Sequence, residues 1–379
     1  MGARLLIFGA GDVALKMASG LLQSQSNPSA HEPVRHIVFA EKYPERAKDA
    51  VEMLAACSGC RIGLRGVDGT DAAAVTGILK EFRPDLIVQA ASLVGPWQIF
   101  GIDHPVAHAL SAGGVALQAP TQMAVLYTVM RCVRETGLPV PVANISMPDI
   151  AHVVLGKIGL APDIGLGNVS IQHLRARSAL RSKRGYPPPP DSNSESEPLL
   201  RLVGHHHHVY GVMQAAPPGD PAEMVRVYVG DAGERDDALA YTGHPFPTGP
   251  VYNVITAASA LPVIQALLPG GDDLRFSAPA PHGLPGGYPV RFQGGEVTLD
   301  LPAGASLDEA IAFNATMSSL DGVQAIEDDG TIHFTDKARA SIAPVDTRLA
   351  EPFGLRDMEA RTALVLETVG KIGSPDPQQ

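Results

Sequence analysis

The sequence has few cysteines, no excess of positive charge and no long apolar segment, and each absence excludes a class of protein. Three cysteines in 379 residues are too few, and odd in number, for a disulfide framework. The formal net charge of −11 argues against a surface that holds a polyphosphate backbone, so we expect no nucleic-acid partner. No apolar run approaches the roughly 18 residues needed to cross a bilayer, so we expect no membrane association. The N-terminus lacks a secretory pattern, and we expect a cytoplasmic protein.

Two of the cysteines, Cys57 and Cys60, have the spacing of redox and zinc sites. No second pair of ligands accompanies them, and they lie where a helix should end and a strand should begin. Packing and loop geometry therefore explain them better than metal or redox chemistry. We predict no metal site.

A composition of 45% hydrophobic and 18% charged residues is that of an ordinary globular protein. A chain of 379 residues is long enough for two domains with substantial cores. The sequence contains no internal repeat. We place the first domain at residues 1–148 and the second at residues 149–379.

The most informative motif lies at the N-terminus. Residues 5–8 form a short apolar run typical of a buried strand, and residues 9–14 read Gly-Ala-Gly-Asp-Val-Ala before a helical pattern. Strand, glycine turn and helix form the layout that a dinucleotide pyrophosphate requires, with N–H donors at the helix start. Gly9 permits the tight turn, and Gly11 lets the backbone approach the phosphates. Asp12 and Val13 complete the predicted cofactor loop.

An acidic residue at the end of the second strand is expected to bind the adenosine ribose. Glu41 follows the apolar residues 36–40, about 30 residues after Gly11 because the intervening loop is long. A carboxylate there disfavours a 2′-phosphate, so NAD is preferred to NADP. Lys42 and Arg46 follow closely, however, and either one could hold that phosphate. Asp68, at the end of the third strand, is a plausible contact to the adenine.

Strands and helices alternate through the first half, which predicts a Rossmann-type α/β domain with a doubly wound parallel sheet. Ser92 follows the fourth strand, where such sheets place cofactor and substrate; a plain turn is the other interpretation. We expect a fifth strand at residues 115–118 and a sixth at residues 139–146. An amphipathic helix is expected between them, over residues 121–135.

This half resembles the NAD(P)-binding domain of saccharopine-dehydrogenase-like reductases. The matching stretches are IFGAGDVA at residues 7–14, FAEKYPERA at 39–47 and GVDGTD at 66–71. The resemblance covers about the first 120 residues and implies the type of cofactor but not the substrate, because that superfamily is broad.

A second resemblance, to lactate and malate dehydrogenases, begins at ANISMPDI, residues 143–150, and continues through a glycine turn at 165–168. Arg175 stands where that family has a substrate-binding arginine, and the run after Gly204 stands where it has Gly-x-His. The resemblance implies that Asn144 lies near the nicotinamide or the substrate. The aspartate that orients the family's histidine is absent from its motif, where Gln172 stands instead.

Four consecutive histidines occupy residues 205–208. Hydride transfer to a carbonyl or imine needs a proton donor, and histidine suits that role because its pKa lies near neutrality. Structural or solvated histidines and a metal site are the alternatives. On a strand, His206 and His208 would share one face. We take His206 as the proton donor and Arg175 as the anchor of a substrate carboxylate, with Arg177 as the other candidate.

Residues 185–198, rich in Pro and Ser, cannot bury a core and form either a lid or a disordered insertion. Mixed strands and helices after this loop indicate an α+β substrate-binding or dimerisation domain. We therefore predict a dimeric NAD(P)-dependent oxidoreductase that transfers a hydride to or from a small polar substrate (C=O/CH–OH or C=N/CH–NH) bearing a carboxylate. A non-catalytic NAD(H)-sensing regulatory or assembly protein is the alternative.

Overall fold

The computed structural model describes residues 2–24, 34–183 and 197–373. Its centre is a six-stranded parallel sheet with the order β3-β2-β1-β4-β5-β6. The strands are β1 (Ala3–Phe8), β2 (Val34–Glu41), β3 (Arg61–Gly66), β4 (Leu86–Gln89), β5 (Val142–Asn144) and β6 (Ile164–Gly165). The strand order reverses between β1 and β4, which opens a crevice at the carboxyl ends of the strands. The predicted doubly wound Rossmann-type fold is confirmed.

Helices cover both faces of this sheet. They are α1 (Asp12–Ser24), α2 (Lys48–Ala56), α3 (Ala72–Phe82), α4 (Pro105–Ala112), α5 (Ala119–Thr136), α6 (Pro148–Lys157) and α7 (Val169–Lys183). Side chains alternate along β1: Leu6 and Phe8 enter one hydrophobic core, and Leu5 and Ile7 enter the other. Because both faces are buried, the strand reads as a continuous apolar run rather than as an alternating one. The carboxylate of Asp71 caps α3 by accepting from two backbone N–H groups, as its sequence position predicted.

The second half adds three small antiparallel sheets, with orders β7-β8-β9, β10-β11-β12 and β13-β14. The strands are β7 (Leu200–Val203), β8 (Arg226–Val229), β9 (Glu234–Arg235), β10 (Leu274–Pro279), β11 (Gly287–Gln293), β12 (Glu296–Leu299), β13 (Val323–Ile326) and β14 (Ile332–Phe334). The helices are α8 (His208–Met213), α9 (Tyr252–Leu267), α10 (Leu307–Leu320), α11 (Asp336–Ile342) and α12 (Met358–Gly370). This mixture gives the second half the α+β character expected from the sequence.

The second half packs closely against the parallel sheet. Helix α9 lies on α1, where Gly20 leaves room for Leu261: a Cβ at Gly20 would stand 2.6 Å from Cδ1 of that leucine. On the other face, Ile332 and Val365 join the core that contains Phe8. Hydrophobic cores therefore extend across the predicted boundary at residue 148, which itself stays a prediction.

One expectation about local structure was wrong. Val115–Gln118 is a 3-10 turn that leads into α5, not a fifth strand. All four of its residues are buried, and a short buried apolar run has no periodicity that separates a strand from a helical turn. The strand expected at residues 139–146 is present as β5, and the sixth strand of the sheet is Ile164–Gly165, which pairs with it. The conformation of the histidine run was open: residues 205–207 form a turn, and α8 begins at His208.

Most of the predicted 185–198 loop lies outside the described residues, so its assignment as lid or insertion stays open. Within the described ranges, no helix combines the length and apolarity that a membrane crossing requires.

Candidate cofactor and active site

The glycine loop joins β1 to α1 at the carboxyl edge of the sheet. Gly9 has φ = +91°, and a Cβ there would lie 3.0 Å from backbone atoms of Ala91, so only glycine fits. Gly11 differs, because a Cβ there would meet nothing within 4 Å. The side of the loop at Gly11 is therefore open, as it must be if a pyrophosphate is to approach the backbone and the start of α1.

Glu41 lies at the end of β2, directly beside this loop. Its Oε2 accepts a hydrogen bond from the backbone N–H of Ala10 at 2.9 Å, and its Oε1 accepts one from that of Tyr43 at 3.1 Å. The neighbouring Lys42 turns away to form an ion pair with Asp68 at 2.7 Å. The carboxylate thus stands at the ribose position of a Rossmann domain, while the lysine is occupied by another carboxylate.

Two further residues of the predicted cofactor loop contact the rest of the protein. Asp12 forms an ion pair with Lys16 and accepts a hydrogen bond of 2.7 Å from Asn253 at the start of α9. Val13 is partly buried and packs against the core beneath the loop. The contact of Asp12 links the cofactor loop to the second half of the chain.

Ser92 and Asn144 follow β4 and end β5 on the same edge. Ser92 is partly exposed, and its Oγ donates to the carbonyl of Val94 at 3.1 Å. Asn144 is fully buried, and its Nδ2 lies 2.9 Å from the Ser146 carbonyl and 3.1 Å from Nε2 of His152. Ser92 thus borders the crevice, whereas Asn144 supports the loop that follows β5 from beneath.

The four histidines have different environments. Nδ1 of His208 accepts from the backbone N–H of His205, and its Nε2 donates to the carbonyl of Glu223. Burial lowers the pKa of His208 to about 4, so it is a neutral structural residue. His205 is also buried, with Nε2 3.0 Å from Oγ of Ser318. His206 and His207 retain 34% and 41% of their side-chain exposure, so these two are accessible to a ligand.

His206 is paired with Asp321, which follows α10. Nδ1 of His206 lies 2.8 Å from Oδ2 of this carboxylate, and the described residues offer no hydrogen-bond partner to Nε2. Burial opposes protonation, but the charge and hydrogen bond of Asp321, with the charge of Asp149, raise the pKa of His206 to about 9. The resulting imidazolium can donate a proton from Nε2 at neutral pH.

The two neighbouring histidines also approach the carboxylate of Asp321. Nδ1 of His205 and Nδ1 of His207 each lie 3.4 Å from its oxygens. Burial would raise the pKa of Asp321, but the charge on His206 and the hydrogen bonds from the three histidines hold it well below its usual value. The carboxylate stays ionised and orients the histidine turn.

Asp149 ties this turn to the carboxyl edge of the sheet. It lies in the first turn of α6, just after β5, and its Oδ1 accepts from the backbone N–H of His206 at 3.0 Å. Its Oδ2 accepts from Nδ2 of Asn168, which follows β6. Asn168 and Met147 both have φ = +44°, and such sparsely populated conformations cluster at functional sites. The backbone of the histidine turn is therefore held at the same edge of the sheet as the glycine loop.

The two candidate arginines lie on helix α7 and have protein partners. Arg177 forms a bidentate pair with Glu197, which Arg181 also binds. These arginines lower the pKa of Glu197 to about 2. Nη2 of Arg175 donates to the carbonyl of His244 at 2.6 Å, whereas its buried Nε has no partner in the described part of the chain. The assignment of Arg175 to a substrate carboxylate stays a prediction.

Sequence reasoning missed Asp321 and the contact of Asp149 with the histidine turn. Asp321 lies in a Leu-Asp-Gly turn that carries no motif, so no local signal could have identified it. Asp149 was visible as part of the Pro-Asp pair, but its partner could not be inferred. Cys57 is exposed and Cys60 buried, and both are free thiols. No group of three or more potential metal ligands is found among the residues that the structure describes.

Comparison with solved structures shows a similar fold over nearly the whole chain. The 6-phospho-beta glucosidase from Thermotoga maritima is 14% identical and has a TM-score of 0.52, with 97% of this chain and 98% of that chain covered. A second structure of that enzyme, with NAD and glucose-6-phosphate, is 13% identical with the same TM-score and covers 98% of each chain. The malate dehydrogenase from Picrophilus torridus is 12% identical, with coverage of 98% and 99% and a TM-score of 0.47.

At these identities the glucosidase structures establish the fold: a Rossmann-type α/β domain with a second domain. No family model matches the sequence, and no curated protein matches it either.

Proposed function

We propose that the protein is an NAD(P)-dependent oxidoreductase that transfers a hydride to or from a small polar substrate with a C=O/CH–OH or C=N/CH–NH centre. The observation that carries the proposal is the meeting of two features at one sheet edge. The open side of the glycine loop lies at the switch point of the strand order, and His206, paired with Asp321, is tied to the same edge by Asp149.

The residues present fit a dinucleotide. The backbone around Gly11 and the start of α1 would hold the pyrophosphate, and Glu41 would hold the ribose hydroxyls. When bound, the nicotinamide supplies or accepts the hydride. In the direction of reduction, Nε2–H of His206 would donate a proton to the substrate oxygen or nitrogen, and in the reverse direction the neutral ring would accept it. Asp321 would hold the imidazole by its Nδ1–H and stabilise its charge.

We further propose that NAD is preferred to NADP. The carboxylate of Glu41 would repel a 2′-phosphate, and the ammonium of Lys42 is engaged by Asp68. Arg46 packs its guanidinium 4.6 Å from the centre of the Tyr43 ring. The two cations that could favour NADP thus both have other contacts in the protein.

The proposal is tested by substituting Gly11→Val and measuring NADH affinity from the change in nicotinamide fluorescence. The new side chain meets open space in the free protein, so the thermal unfolding midpoint should stay within a few degrees of the parent value. NADH affinity should fall by at least about 100-fold, because the side chain would occupy the space of the pyrophosphate.

Gly77→Val is the matched control, since a Cβ at Gly77, in α3, also meets nothing within 4 Å. It should leave NADH affinity unchanged. Unaltered affinity in the Gly11→Val protein would remove the loop from cofactor binding. A wild-type protein that binds NADH but oxidises it with no member of a panel of keto acids, aldehydes and imines would favour the NAD(H)-sensing regulator instead.

A further inference from the structure

Three aromatic side chains gather at the carboxyl edge of the sheet, beside the proposed cofactor site. Trp97 lies in a 3-10 turn after β4, Phe246 precedes α9, and Tyr252 is the first residue of that helix. The ring centres of Trp97 and Tyr252 are 6.3 Å apart, and those of Phe246 and Tyr252 are 5.8 Å apart. Aromatic residues make up only 5% of the chain, and Trp97 is its one tryptophan. We call these three residues the aromatic wall.

Hydrogen bonds connect the wall to the cofactor loop on one side and to the end of helix α8 on the other. Asn253, next to Tyr252, donates to Asp12 of the glycine loop at 2.7 Å. On the other side, Nε2 of Gln214 donates to the hydroxyl of Tyr252 at 2.8 Å. Gln214 follows α8, the helix that begins two residues after His206. The wall is therefore connected to the cofactor loop through Asn253, and through Gln214 to the helix that follows the histidine turn.

Several hydrogen bonds fix the segment that carries the wall. The backbone N–H of Phe246 donates to the carbonyl of Met213 at 2.8 Å, and its carbonyl accepts from Nε2 of Gln214 at 2.9 Å. Arg175 holds the carbonyl of His244 at 2.6 Å. Phe246 and Tyr252 are therefore held in place before any ligand arrives, which reduces the entropy lost on binding.

The three rings are tilted against one another and do not stack face to face. The planes of Trp97 and Tyr252 are inclined by 58°, and those of Phe246 and Tyr252 by 38°. All three side chains are partly exposed. An inclined, partly exposed group of rings presents aromatic surface to a ligand in the crevice, and such surface packs well against a flat apolar ring face.

We propose that the aromatic wall selects a substrate in which the reacting carbon belongs to, or is attached to, a six-membered ring. The ring packs its face on Trp97 and Tyr252, with the reacting carbon toward His206. This inference rests on the proposed oxidoreductase function and adds the class of substrate. The shared chemistry is an apolar ring face, which either a saturated polyhydroxy ring or an aromatic ring provides.

The test compares the wild type with Trp97→Ala and Trp97→Phe by isothermal titration calorimetry. First, NADH is titrated into each protein. Then proteins saturated with NAD⁺ are titrated with ring probes (glucose, cyclohexane-1,2-diol and benzyl alcohol) and with acyclic probes (glycerol and lactate). Quenching of the single tryptophan in the wild type reports independently on whether a probe reaches the wall.

Ring probes should bind the wild type at least about tenfold more tightly than acyclic ones, and Trp97→Ala should remove about that factor. Trp97→Phe keeps an aromatic face and should stay within about threefold of the wild type. NADH affinity should be the same in all three proteins. The difference in affinity between glucose and benzyl alcohol then identifies the kind of ring.

Equal binding of ring and acyclic probes would overturn the inference. A loss of NADH affinity in Trp97→Ala would also overturn it, because the wall would then belong to the cofactor site. Failure of the oxidoreductase proposal looks different: wild-type protein would not bind NADH at all, while quenching of Trp97 by ring probes would still be measurable.

Discussion

The cofactor end and the histidine end of the proposed cleft are held by contacts of very different separation along the chain. At the cofactor end, Ala10 bonds to Glu41, 31 residues away, across one strand–helix–strand unit. At the histidine end, His206 bonds to Asp149, 57 residues away, and to Asp321, 115 residues away. The first end is a local motif that a sequence displays directly. The second exists only when α6, the histidine turn and the turn after α10 have packed together.

The two ends also differ in the charged groups on which they depend. The cofactor end relies on backbone N–H groups and on one carboxylate, whereas the histidine end relies on the coupled ionisation of His206 and Asp321. Substitutions at the two ends should therefore differ in kind: those at the histidine end should alter turnover and its pH dependence, and those at the cofactor end should alter affinity.

The largest effect is expected from His206→Ala. If this residue is the proton donor, turnover on a substrate identified by screening should fall by about 100-fold or more, with NADH affinity unchanged. Steady-state kinetics with NADH fluorescence measures both quantities. His207→Ala is the matched control, since His207 is similarly exposed and also approaches Asp321. Equal losses in the two variants would argue against a distinct role for His206.

A smaller, pH-dependent effect is expected from Asp321→Asn. The raised pKa of His206, about 9, keeps the proton donor charged below that pH, so the rate of reduction should fall only as pH rises through about 9. Without the carboxylate the pKa should return to about 6.5 or below, and at pH 8 the charged fraction drops about 30-fold.

The measurement is the pH profile of kcat/KM for reduction in both proteins. Asp300→Asn serves as the control, because Asp300 is also a largely buried carboxylate but pairs with Arg201 and Arg275. The Asp300→Asn protein should show the same fall in kcat/KM near pH 9 as the wild type. If kcat/KM of the Asp321→Asn protein also falls only near pH 9, this carboxylate does not set the pKa of the proton donor.

The smallest effect is expected at the cofactor end, from Glu41→Gln. The amide retains an acceptor for Ala10 but loses the charge that would repel a 2′-phosphate, so the preference for NAD over NADP should shrink by about tenfold. Fluorescence titrations with NADH and NADPH give the ratio of affinities. Glu45→Gln, an exposed neighbour, should not change this ratio, and a similar change there would indicate a general charge effect.

The sequence allowed the cofactor end to be predicted in some detail. The Gly9 turn, the carboxylate of Glu41 at a strand end and the Asp71 helix cap all depend on contacts within one or two neighbouring elements. The prediction of a strand failed at residues 115–118, because three apolar residues and a glutamine, all buried, carry no periodicity. It identified the histidine run as a candidate but not its conformation, because four identical residues carry no periodicity that separates a strand from a turn.

Sequence by itself determined the parallel sheet and the glycine loop at its edge, because strand hydrophobicity and turn chemistry are local properties. Only the tertiary structure decided which histidines stay exposed, which carboxylate pairs with His206 and which partners hold Arg175 and Arg177. Those outcomes depend on the desolvation and proximity of groups that are far apart in the chain. A charge has no defined partner, and a histidine no defined pKa, until packing fixes what surrounds it.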